Sequence, residues 1–334
     1  MLSLALLKEP LIEGKRINKG AIIMSDVDDT LIEFPLIKDY FYIIERRGWE
    51  GMSLSRYADI KLVEDLSVWD ETKKKFPNSI LLNIAGADFV DTDNFKPLKI
   101  PKQYTGIQIS AWQKFKRPEL FFSGTKLLPE KKFLKFGHLF YGGRDKEELD
   151  YKDIFVLFSK ENCPNVEIIE GDSKDNKNLP NDPQSVNELI NKAKIGILTS
   201  KVEGINRFKL ECLSANIPVI VPNDVNTPLK KHINNKTGIF YDPTPEGFAE
   251  AIKKVEENYD SFSPREYVLK NTGNKISLGK LKVALQELAK RDGSENIYGN
   301  IYWDGRNQSL IWEEKAKIFL KELIKKLENL SRED

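Results

Sequence analysis

The chain of 334 residues contains few of the residue types that build disulfide and metal sites. It has two cysteines, Cys163 and Cys212, which lie far apart and outside any paired motif, and two histidines, His138 and His232. Disulfide frameworks and zinc sites need several such residues at characteristic spacings. The sequence therefore argues against a disulfide scaffold and against a His-based zinc site, and its cysteine usage fits a reducing compartment.

Long hydrophobic runs and an excess of charge of one sign are also missing. No stretch approaches the roughly 18 apolar residues of a membrane-spanning helix. The apolar opening MLSLALLKEP is too short for a secretion signal, because Lys8 and Glu9 interrupt it. Lysine and arginine total 52 against 51 acidic residues, so no global field favours nucleic acid. We therefore expect a cytoplasmic protein with no transmembrane segment.

The composition that remains is that of an ordinary globular protein, with 40% hydrophobic and 31% charged residues. The length suits two α/β domains. Residues 105–258 alternate predicted strands and helices, the pattern of a doubly wound domain, whereas the first 90 residues have room for only about three or four such units. Residues 85–103 lose this periodicity and collect Asp, Gly and Pro, which predicts an interdomain linker.

Apolar spacing predicts the individual elements. Residues 36–48 are expected to form a helix, and Ile154–Phe158 a strand. The lysine- and glutamate-rich segment Ile311–Leu330 carries an apolar stripe, which predicts a long amphipathic helix.

Residues 195–222 combine two predicted strands with a turn and a helix. Ile195–Leu198 and Ile217–Val221 are short apolar runs, and Ile205–Ala215 between them has apolar residues at helical spacing. Gly204 marks the turn before the helix. Because both strands are apolar throughout, the stretch predicts a parallel pair within an α/β sheet.

Two carboxylates, Glu203 and Glu211, lie eight residues apart in this stretch, one in the turn and one on the helix. Glutamates in such places are most often a solvated loop acid and a surface acid of a helix. Glu203, however, follows the carboxyl end of a strand, where open α/β sheets bind ligands. The helix N-terminus beside it suits a phosphate, and Glu211 can accept hydrogen bonds from ribose hydroxyls. The pair therefore indicates a nucleotide-binding crevice.

The segment from Lys201 to Ile252 resembles the donor-binding half of retaining GT-B glycosyltransferases, especially those of family 4. The likeness rests on the two spaced glutamates, on ECLSANIPVIV against the family's E-A-x-x-x-G-x-P-V-I pattern, and on TGIFYDP. Upstream, NSILLNIAGADFVDTDNFKP resembles the family's linker, and ISAWQKFKRPELFF resembles the first strand and helix of its donor domain. The resemblance spans residues 78–258.

This resemblance implies an α/β fold of the GT-B type, with two Rossmann-like domains facing a cleft. The expected domains are a short N-terminal acceptor-side domain at 1–98, a nucleotide-sugar donor domain at 99–290, and a helical segment at 291–334 that crosses back to the N-terminal domain. The implied activity is hexosyl transfer from a nucleotide diphosphate sugar, such as a UDP- or GDP-sugar, with retention of configuration. No cofactor and no metal are required.

The resemblance also implies roles for individual residues. Glu211 would hold the ribose, and Glu203 would contact the transferred sugar. The residues expected to line the diphosphate are Gly204, Ile205 and Asn206 through backbone N–H groups, and Lys116 or Arg117 through charge. The family's usual arginine before the lysine is missing, since Trp112 stands near its place. We therefore expect Arg117 or Arg207 to substitute for it.

A competing interpretation comes from AIIMSDVDDTLI, which matches the first motif of haloacid-dehalogenase-like phosphatases. Asp26 would be the nucleophile and Asp28 the acid/base beside Mg²⁺, with residues 166–176 as a second acidic motif. The spacing is awkward, the lysine motif is missing, and residues 195–245 are left unexplained. Alternatively, Asp26 and Asp28 contact the acceptor from a strand-end loop, or the loop only caps a helix.

The short N-terminal domain leaves the acceptor open among a glycan, a lipid, a protein and a modified nucleic acid. It is either a minimal acceptor domain or one completed by a partner chain, which includes a homo-oligomer. A non-catalytic scaffold with the GT-B fold is the third alternative. His138 and His232 are expected to serve packing and the surface, respectively.

Overall fold

The structure, a computed structural model, describes residues 2–46, 54–139, 145–171, 182–294, 298–299, 301–305 and 311–330, with residue 312 by its backbone alone. The chain divides into two compact units. The first consists of Met1–Phe89 together with Asn274–Asp334, and the second of Val90–Gly273.

The described strands and helices are numbered in chain order. The strands are β1 Ser3–Lys8, β2 Leu11–Glu13, β3 Arg16–Asn18, β4 Gly20–Met24, β5 Phe41–Arg46, β6 Ile60–Leu62, β7 Ile80–Leu82, β8 Tyr104–Ala111, β9 Phe133–His138, β10 Val166–Glu170, β11 Ala193–Ile197, β12 Val219–Pro222, β13 Gly238–Tyr241 and β14 Ile311–Trp312. The helices are α1 Val27–Glu33, α2 Ile37–Tyr40, α3 Trp69–Lys75, α4 Pro118–Lys126, α5 Lys146–Asn162, α6 Pro183–Asn191, α7 Arg207–Ser214, α8 Thr227–Lys230, α9 Pro245–Glu257, α10 Pro264–Asn271, α11 Gly273–Arg291 and α12 Glu313–Leu330.

The first unit is built on a six-stranded sheet in the order β14-β1-β4-β5-β6-β7. Strands β4 to β7 are parallel, and β1 pairs antiparallel with both β4 and β14. Successive residues of a strand face opposite sides of its sheet. Ile23 therefore packs with Leu281 and Leu285 of α11, while Ile22 packs with Leu320 of α12. Both faces are apolar, so β4 and the first four residues of β5, Phe41–Ile44, are hydrophobic.

The second unit has an all-parallel sheet in the order β10-β9-β8-β11-β12-β13. The chain runs outward from β8 to β10 and then returns to β11 on the other side of β8. This is the doubly wound order, with its topological switch point between β8 and β11. The predicted doubly wound domain and the predicted parallel pairing of the strands that flank α7 are thus confirmed.

Polar N-caps begin several helices of this unit, because a side-chain oxygen there accepts a free N–H of the first turn. Asp145 accepts from Glu147 N, Asp182 from Gln184 N and Ser185 N, Asn206 from Lys209 N, and Thr244 from Gly247 N. These caps fix where the chain turns from each strand-end loop into the next helix.

Two of the predicted elements are wrong. Residues 36–48 were expected to form a helix, but the chain makes one helical turn, α2, and then the buried strand β5. Ile154–Phe158 was expected to form a strand, but it lies within the 17-residue helix α5. A short run of consecutive apolar residues has neither the strand nor the helix period, so only its tertiary neighbours decide its conformation.

The compact units divide after Phe89 and after Gly273, whereas the sequence placed boundaries after residues 98 and 290. Helix α11 accounts for the second difference, because its residues Leu278, Leu281 and Leu285 pack into the core of the first unit. The amphipathic α12 lies in the same unit and buries Leu320, Leu323 and Leu327. Among the described helices, none combines the length and the hydrophobicity that crossing a membrane requires.

Candidate functional site

The second unit presents its sequence-predicted site residues at the carboxyl edge of its sheet. Strand β8 ends at Ala111 and leads to Lys116, while β11 ends at Ile197 and leads to Glu203. The two strands are neighbours and parallel, so both loops emerge at the switch point. Open α/β sheets bind ligands in the crevice that such a switch point creates.

Lys116 and Glu203 meet at this point as a buried ion pair. The Lys116 ammonium contacts Oε1 of Glu203, and the two side chains are 12% and 7% exposed. The same carboxylate oxygen accepts hydrogen bonds from Ser200 Oγ at 3.2 Å and from Asn206 Nδ2 at 3.0 Å. Burial lowers the pKa of Lys116 to about 7. The adjacent carboxylate opposes this shift because it stabilises the charged ammonium, so the pair in direct contact is charged.

The backbone of Glu203 is held as firmly as its side chain. Its N–H donates to Asn226 Oδ1 at 2.9 Å, and Asn226 Nδ2 donates to the Glu203 carbonyl at 2.6 Å. Lys201 N–H donates to the Phe115 carbonyl at 2.8 Å, which ties this loop to the turn that carries Lys116. The loop after β11 is thus fixed against the loops after β8 and β12.

Arg117 precedes α4 in the left-handed region, with φ 49°. Its guanidinium binds Asp224 through two parallel hydrogen bonds of 2.8 and 2.9 Å. Nε donates to the Thr199 carbonyl at 2.5 Å, and Nη2 donates to the Ser200 carbonyl at 3.3 Å. Such fork-shaped contacts are specific in geometry. Arg117 therefore links the ends of β11 and β12, whereas Lys116 is the cation next to Glu203.

The remaining predicted donor residues lie in and just before α7. Asn206 caps this helix and accepts from Lys209 N–H at 2.9 Å, and Arg207 is its first residue. Ile205 and Glu211 are buried, with Glu211 one turn further along the helix, while Gly204 and Arg207 are partly exposed. The turn and the start of α7 thus follow Glu203 directly in the chain, and Asn206 also contacts the Glu203 carboxylate.

The same edge contains polar residues that the sequence interpretation missed. Lys135, in the middle of β9, is fully buried and donates to Ser110 Oγ at 2.5 Å. Gln108 on β8 donates through Nε2 to Thr199 Oγ1 at 2.8 Å, while Thr199 Oγ1 donates to the Lys116 carbonyl. His138, which the sequence interpretation did name and assigned to packing, is the last residue of β9. A lysine within the otherwise apolar run FLKFG is the sequence signal that could have found this group.

The first unit carries Asp26 and Asp28 at the carboxyl edge of its own sheet. Asp26 lies in the turn between β4 and α1 with φ 57°, and the exposed Asp28 accepts a hydrogen bond from Ser55 Oγ. Ser55 N–H donates to Glu45 Oε1 at 2.8 Å, and Glu45 pairs with the fully buried Lys61 at 3.0 Å. Burial raises the pKa of Glu45 and lowers that of Lys61.

Of the second acidic motif expected for the phosphatase interpretation, residues 166–176, the first part forms β10 and residues 172–176 lie outside the described residues. Within the ranges that the structure describes, no group of three or more His, Cys, Asp or Glu side chains is arranged to hold a metal ion.

Comparison with protein families gives one match in this region. Residues 173–274 match the family described as "Glycosyl transferases group 1". The match includes Glu203, Glu211 and the whole of α7. No curated protein matches the sequence.

Comparison with solved structures gives similar folds over most of the chain. Sucrose-phosphate synthase from Thermosynechococcus elongatus has a TM-score of 0.59 at 13% identity, over 79% of this chain and 73% of that chain. HepE from Anabaena, in complex with UDP and glucose, has a TM-score of 0.57 at 10% identity, over 80% and 76%. A glycosyltransferase from Rickettsia africae has a TM-score of 0.55 at 15% identity, over 81% and 82%. The expected two-domain GT-B fold with Rossmann-like units is confirmed, as is the resemblance to GT-B glycosyltransferases.

Proposed function

We infer, from a GT-B fold whose residues 173–274 match the group 1 glycosyl transferases, that this chain transfers a sugar from a nucleotide diphosphate sugar to an acceptor with retention of configuration. The observation that carries this proposal is the Lys116–Glu203 pair at the switch point of the second unit. A buried cation and a carboxylate, both at the ligand-binding edge, suit a donor that has a diphosphate and a sugar.

The proposed chemistry assigns Lys116 to the leaving group. Breaking the sugar–phosphate bond builds negative charge on the nucleoside diphosphate, and a preorganised cation stabilises that charge most in the transition state. In our proposal Lys116 exchanges its carboxylate partner for a phosphate oxygen when the donor binds. Glu203 then accepts a hydroxyl of the transferred hexose, and the N–H groups of Gly204, Ile205 and Asn206 complete the contacts.

We assign three further residues by the same reasoning. Glu211 accepts the ribose hydroxyls, and Arg207, as the first residue of α7, adds positive charge near the diphosphate. Arg117 contributes to the site by holding the ends of β11 and β12 in place through Thr199 and Asp224. A UDP- or GDP-sugar is the proposed donor class, and no cofactor takes part.

For the acceptor we propose the carboxyl edge of the first unit. Asp26 and Asp28 have carboxylates that can accept hydroxyl hydrogen bonds, and a GT-B enzyme binds its acceptor on the domain that does not hold the donor. A glycan, a lipid, a protein or a modified nucleic acid would fit this chemistry, with or without a second copy of the chain.

A nucleotide-sugar screen tests the proposal. We expect UDP-, GDP- or ADP-sugars to raise the melting temperature, because a ligand of the folded state stabilises it by mass action. Glu203→Ala and Glu211→Ala should abolish transfer while each variant remains folded. Glu250→Ala is a matched control, since Glu250 is an exposed glutamate that pairs with Lys254 on the surface of α9. Full transfer activity in both site variants would contradict the proposal.

The phosphatase remains the second candidate, since Asp26 holds a left-handed conformation directly after a buried parallel strand. It predicts Mg²⁺-dependent release of phosphate from p-nitrophenyl phosphate that is lost in Asp26→Asn. Transfer from a nucleotide sugar that survives Asp26→Asn, with no phosphate released by the wild type, would decide against it. Any such turnover would also eliminate a non-catalytic scaffold.

A further inference from the structure

Strand β9 carries two basic residues that the proposed chemistry does not use. Its sequence is FLKFGH, and Lys135 and His138 are the two basic residues in this otherwise apolar strand. Lys135 is fully buried, and its ammonium donates to Ser110 Oγ at 2.5 Å and to the Ser110 carbonyl at 3.3 Å. It also lies 4.9 Å from the centre of the Trp112 ring, a cation–π contact. Among the described residues, these partners are all uncharged.

His138 ends the same strand at the carboxyl edge. It lies opposite Ala111, the last residue of β8, and its carbonyl accepts the Trp112 N–H at 3.2 Å. Nδ1 of its ring is closed off from solvent, and in the part of the chain that the structure describes it has no hydrogen-bond partner. Buried polar atoms in native proteins normally have one, so this nitrogen can bind a group other than the residues that the structure describes.

The surroundings of the ring are electropositive. Burial is the main cause that lowers the pKa of His138 to about 3, and Lys135 and Lys116 lower it further. The imidazole is therefore neutral at pH 7 and has one N–H to donate. Lys116 acts on Lys135 as well as on His138, so the two lysines and the histidine occupy one neighbourhood.

We propose that His138 contacts the nucleoside diphosphate of the donor, and that the buried Lys135 is a positioning residue that supports this contact. The anion site that begins at Lys116 then continues onto β9. This inference rests on the proposed function, because it names a further donor contact within the same site. It assigns a ligand-binding role to a residue that the sequence alone suggests is a packing residue.

The charges decide which part of the donor His138 contacts. Burial lowers the pKa of Lys135 well below its ordinary value and repulsion from Lys116 lowers it further, while Glu203 is the carboxylate that pairs with Lys116. A phosphate oxygen would relieve this repulsion and accept an imidazole N–H at the same time. An uncharged nucleobase would satisfy the ring nitrogen but leave the repulsion unchanged. A diphosphate therefore fits the group better than a base does.

The indole of Trp112 packs against β9 next to His138. A Cβ on Gly137 would lie 2.3 Å from Cε2 of Trp112, so the indole ring occupies the place of a side chain there. The same indole covers the Lys135 ammonium. Trp112 thus connects the end of β9 to the start of the loop that carries Lys116.

The chain offers a direct test, because it has only two histidines. His232 precedes β13, at the opposite edge of the sheet. Its expected surface position is wrong, because the side chain is buried and its Nδ1 lies 3.2 Å from Tyr267 Oη. In a His232→Gln protein with ¹⁵N-labelled histidine, every imidazole signal comes from His138. We expect these ring nitrogen signals to shift on addition of UDP or GDP, and to stay in place with uridine or guanosine. Unchanged signals in the presence of a bound nucleoside diphosphate would overturn the inference.

Calorimetric titration gives a second, independent measure. His138→Leu should bind the preferred nucleoside diphosphate about ten-fold more weakly, as expected for a lost charge-assisted hydrogen bond. His138→Gln, whose amide N–H can donate, should recover part of the affinity. Lys135→Met should also weaken the binding of the diphosphate, and His232→Gln should match the wild type. Melting temperatures without ligand show which variants are folded.

The outcomes separate this inference from the proposed function. A wild type that binds none of UDP, GDP and ADP overturns the proposed function and this inference together. A wild type that binds one of them, with equal affinity in His138→Leu and His138→Gln, overturns the inference alone. Equal losses for nucleoside and nucleoside diphosphate in His138→Leu would mean a contact with the base and would overturn it too.

Discussion

At the scale of single residues, the most consequential feature is a charged pair shielded from water. Lys116 and Glu203 stabilise each other, and Ser200 and Asn206 satisfy the same carboxylate oxygen. Removing one partner of a buried pair leaves an uncompensated charge, whereas removing both does not. This asymmetry separates the pair's contribution to stability from its proposed role in transfer.

Lys116→Met should therefore destabilise the protein by about 3–5 kcal/mol, the usual cost of breaking a buried pair. The double variant Lys116→Met/Glu203→Gln should regain much of that stability but no transfer activity, because the leaving phosphate still has no cation. Denaturant unfolding and initial rates with a nucleotide sugar measure the two effects. A double variant that regains activity would show that Lys116 serves the fold alone.

His138 predicts a pH dependence of stability. Its pKa is about 3 in the folded protein and near its ordinary value of 6.5 in the unfolded chain. Between these values the unfolded chain binds more protons, so stability falls as the pH falls from about 7 towards 3. His138→Gln should lose this component, and its denaturation midpoint should change less than that of the wild type between pH 7 and 5.5. If the denaturation midpoints of both proteins change equally between pH 7 and 5.5, the prediction is wrong.

Lys116 predicts the alkaline limit of activity. Burial lowers the pKa of Lys116 to about 7, while Glu203 opposes the shift. The alkaline limb of the pH–rate profile should therefore lie below the ordinary lysine pKa of 10.5. The rate should fall above that pKa, because the neutral amine no longer stabilises the leaving phosphate. An arginine stays charged. A Lys116→Arg variant that retains activity should therefore show the alkaline limb of kcat/KM at higher pH. If the limb does not move, it reports the titration of another group.

At the scale of elements, the site depends on how closely strand ends approach aromatic and backbone groups. On β9, the Trp112 ring occupies the space that a side chain on Gly137 would need. On α11, a methyl group added to Gly279 would meet nothing within 4 Å. A side chain is therefore excluded at Gly137 and is sterically allowed at Gly279. Gly137 permits a close approach that the site needs, and Gly279 only adds backbone freedom to a helix.

Gly137→Ala should destabilise the protein by about 1–3 kcal/mol through overpacking and weaken binding of a nucleoside diphosphate, because Trp112 must move. Gly279→Ala, the matched control, should stabilise it by about 0.5–1 kcal/mol through helix propensity and leave binding unchanged. Thermal unfolding and calorimetry measure both. Unaltered binding in a folded Gly137→Ala variant would show that Trp112 is not coupled to the site.

At the scale of the whole molecule, the two units differ in how the chain builds them. The second unit is one continuous segment, Val90–Gly273, with its own all-parallel sheet and its own core around Phe121, Phe133 and Phe248. The first unit combines Met1–Phe89 with the later segment that contains α11 and α12. The donor-binding residues that we propose all lie in the continuous unit.

A protein consisting of residues 90–273 should therefore fold by itself and bind a nucleoside diphosphate with an affinity close to that of the full chain. It should have no transfer activity, because our proposed acceptor residues Asp26 and Asp28 are missing from it. Circular dichroism and calorimetry test this, and Glu211→Ala in the same segment is the control. A folded segment with no affinity, beside a full chain that binds, would place donor contacts in the first unit.

Much of the second unit could be predicted from the sequence, for reasons that individual residues show. Ile195–Leu198 and Ile217–Val221 are apolar throughout because both faces of a parallel strand are covered, and Gly204 marks the turn before α7. Features of this kind depend on residues that are neighbours in the chain, so the sequence alone can predict them. The run IFVLF within α5 could not be assigned the same way, because consecutive apolar residues fit a strand and a buried helix equally well.

The sequence by itself determined the α/β class, the order of elements around α7, and the candidate roles of Glu203, Glu211 and Lys116. Only the tertiary structure decided that Lys116, rather than Arg117, contacts Glu203, and that Lys135 and His138 of β9 join the same edge. The physical reason is the strand order. Adjacent strands in this sheet are up to about ninety residues apart in the chain, as β8 and β11 are, and no local pattern encodes which strand ends will meet.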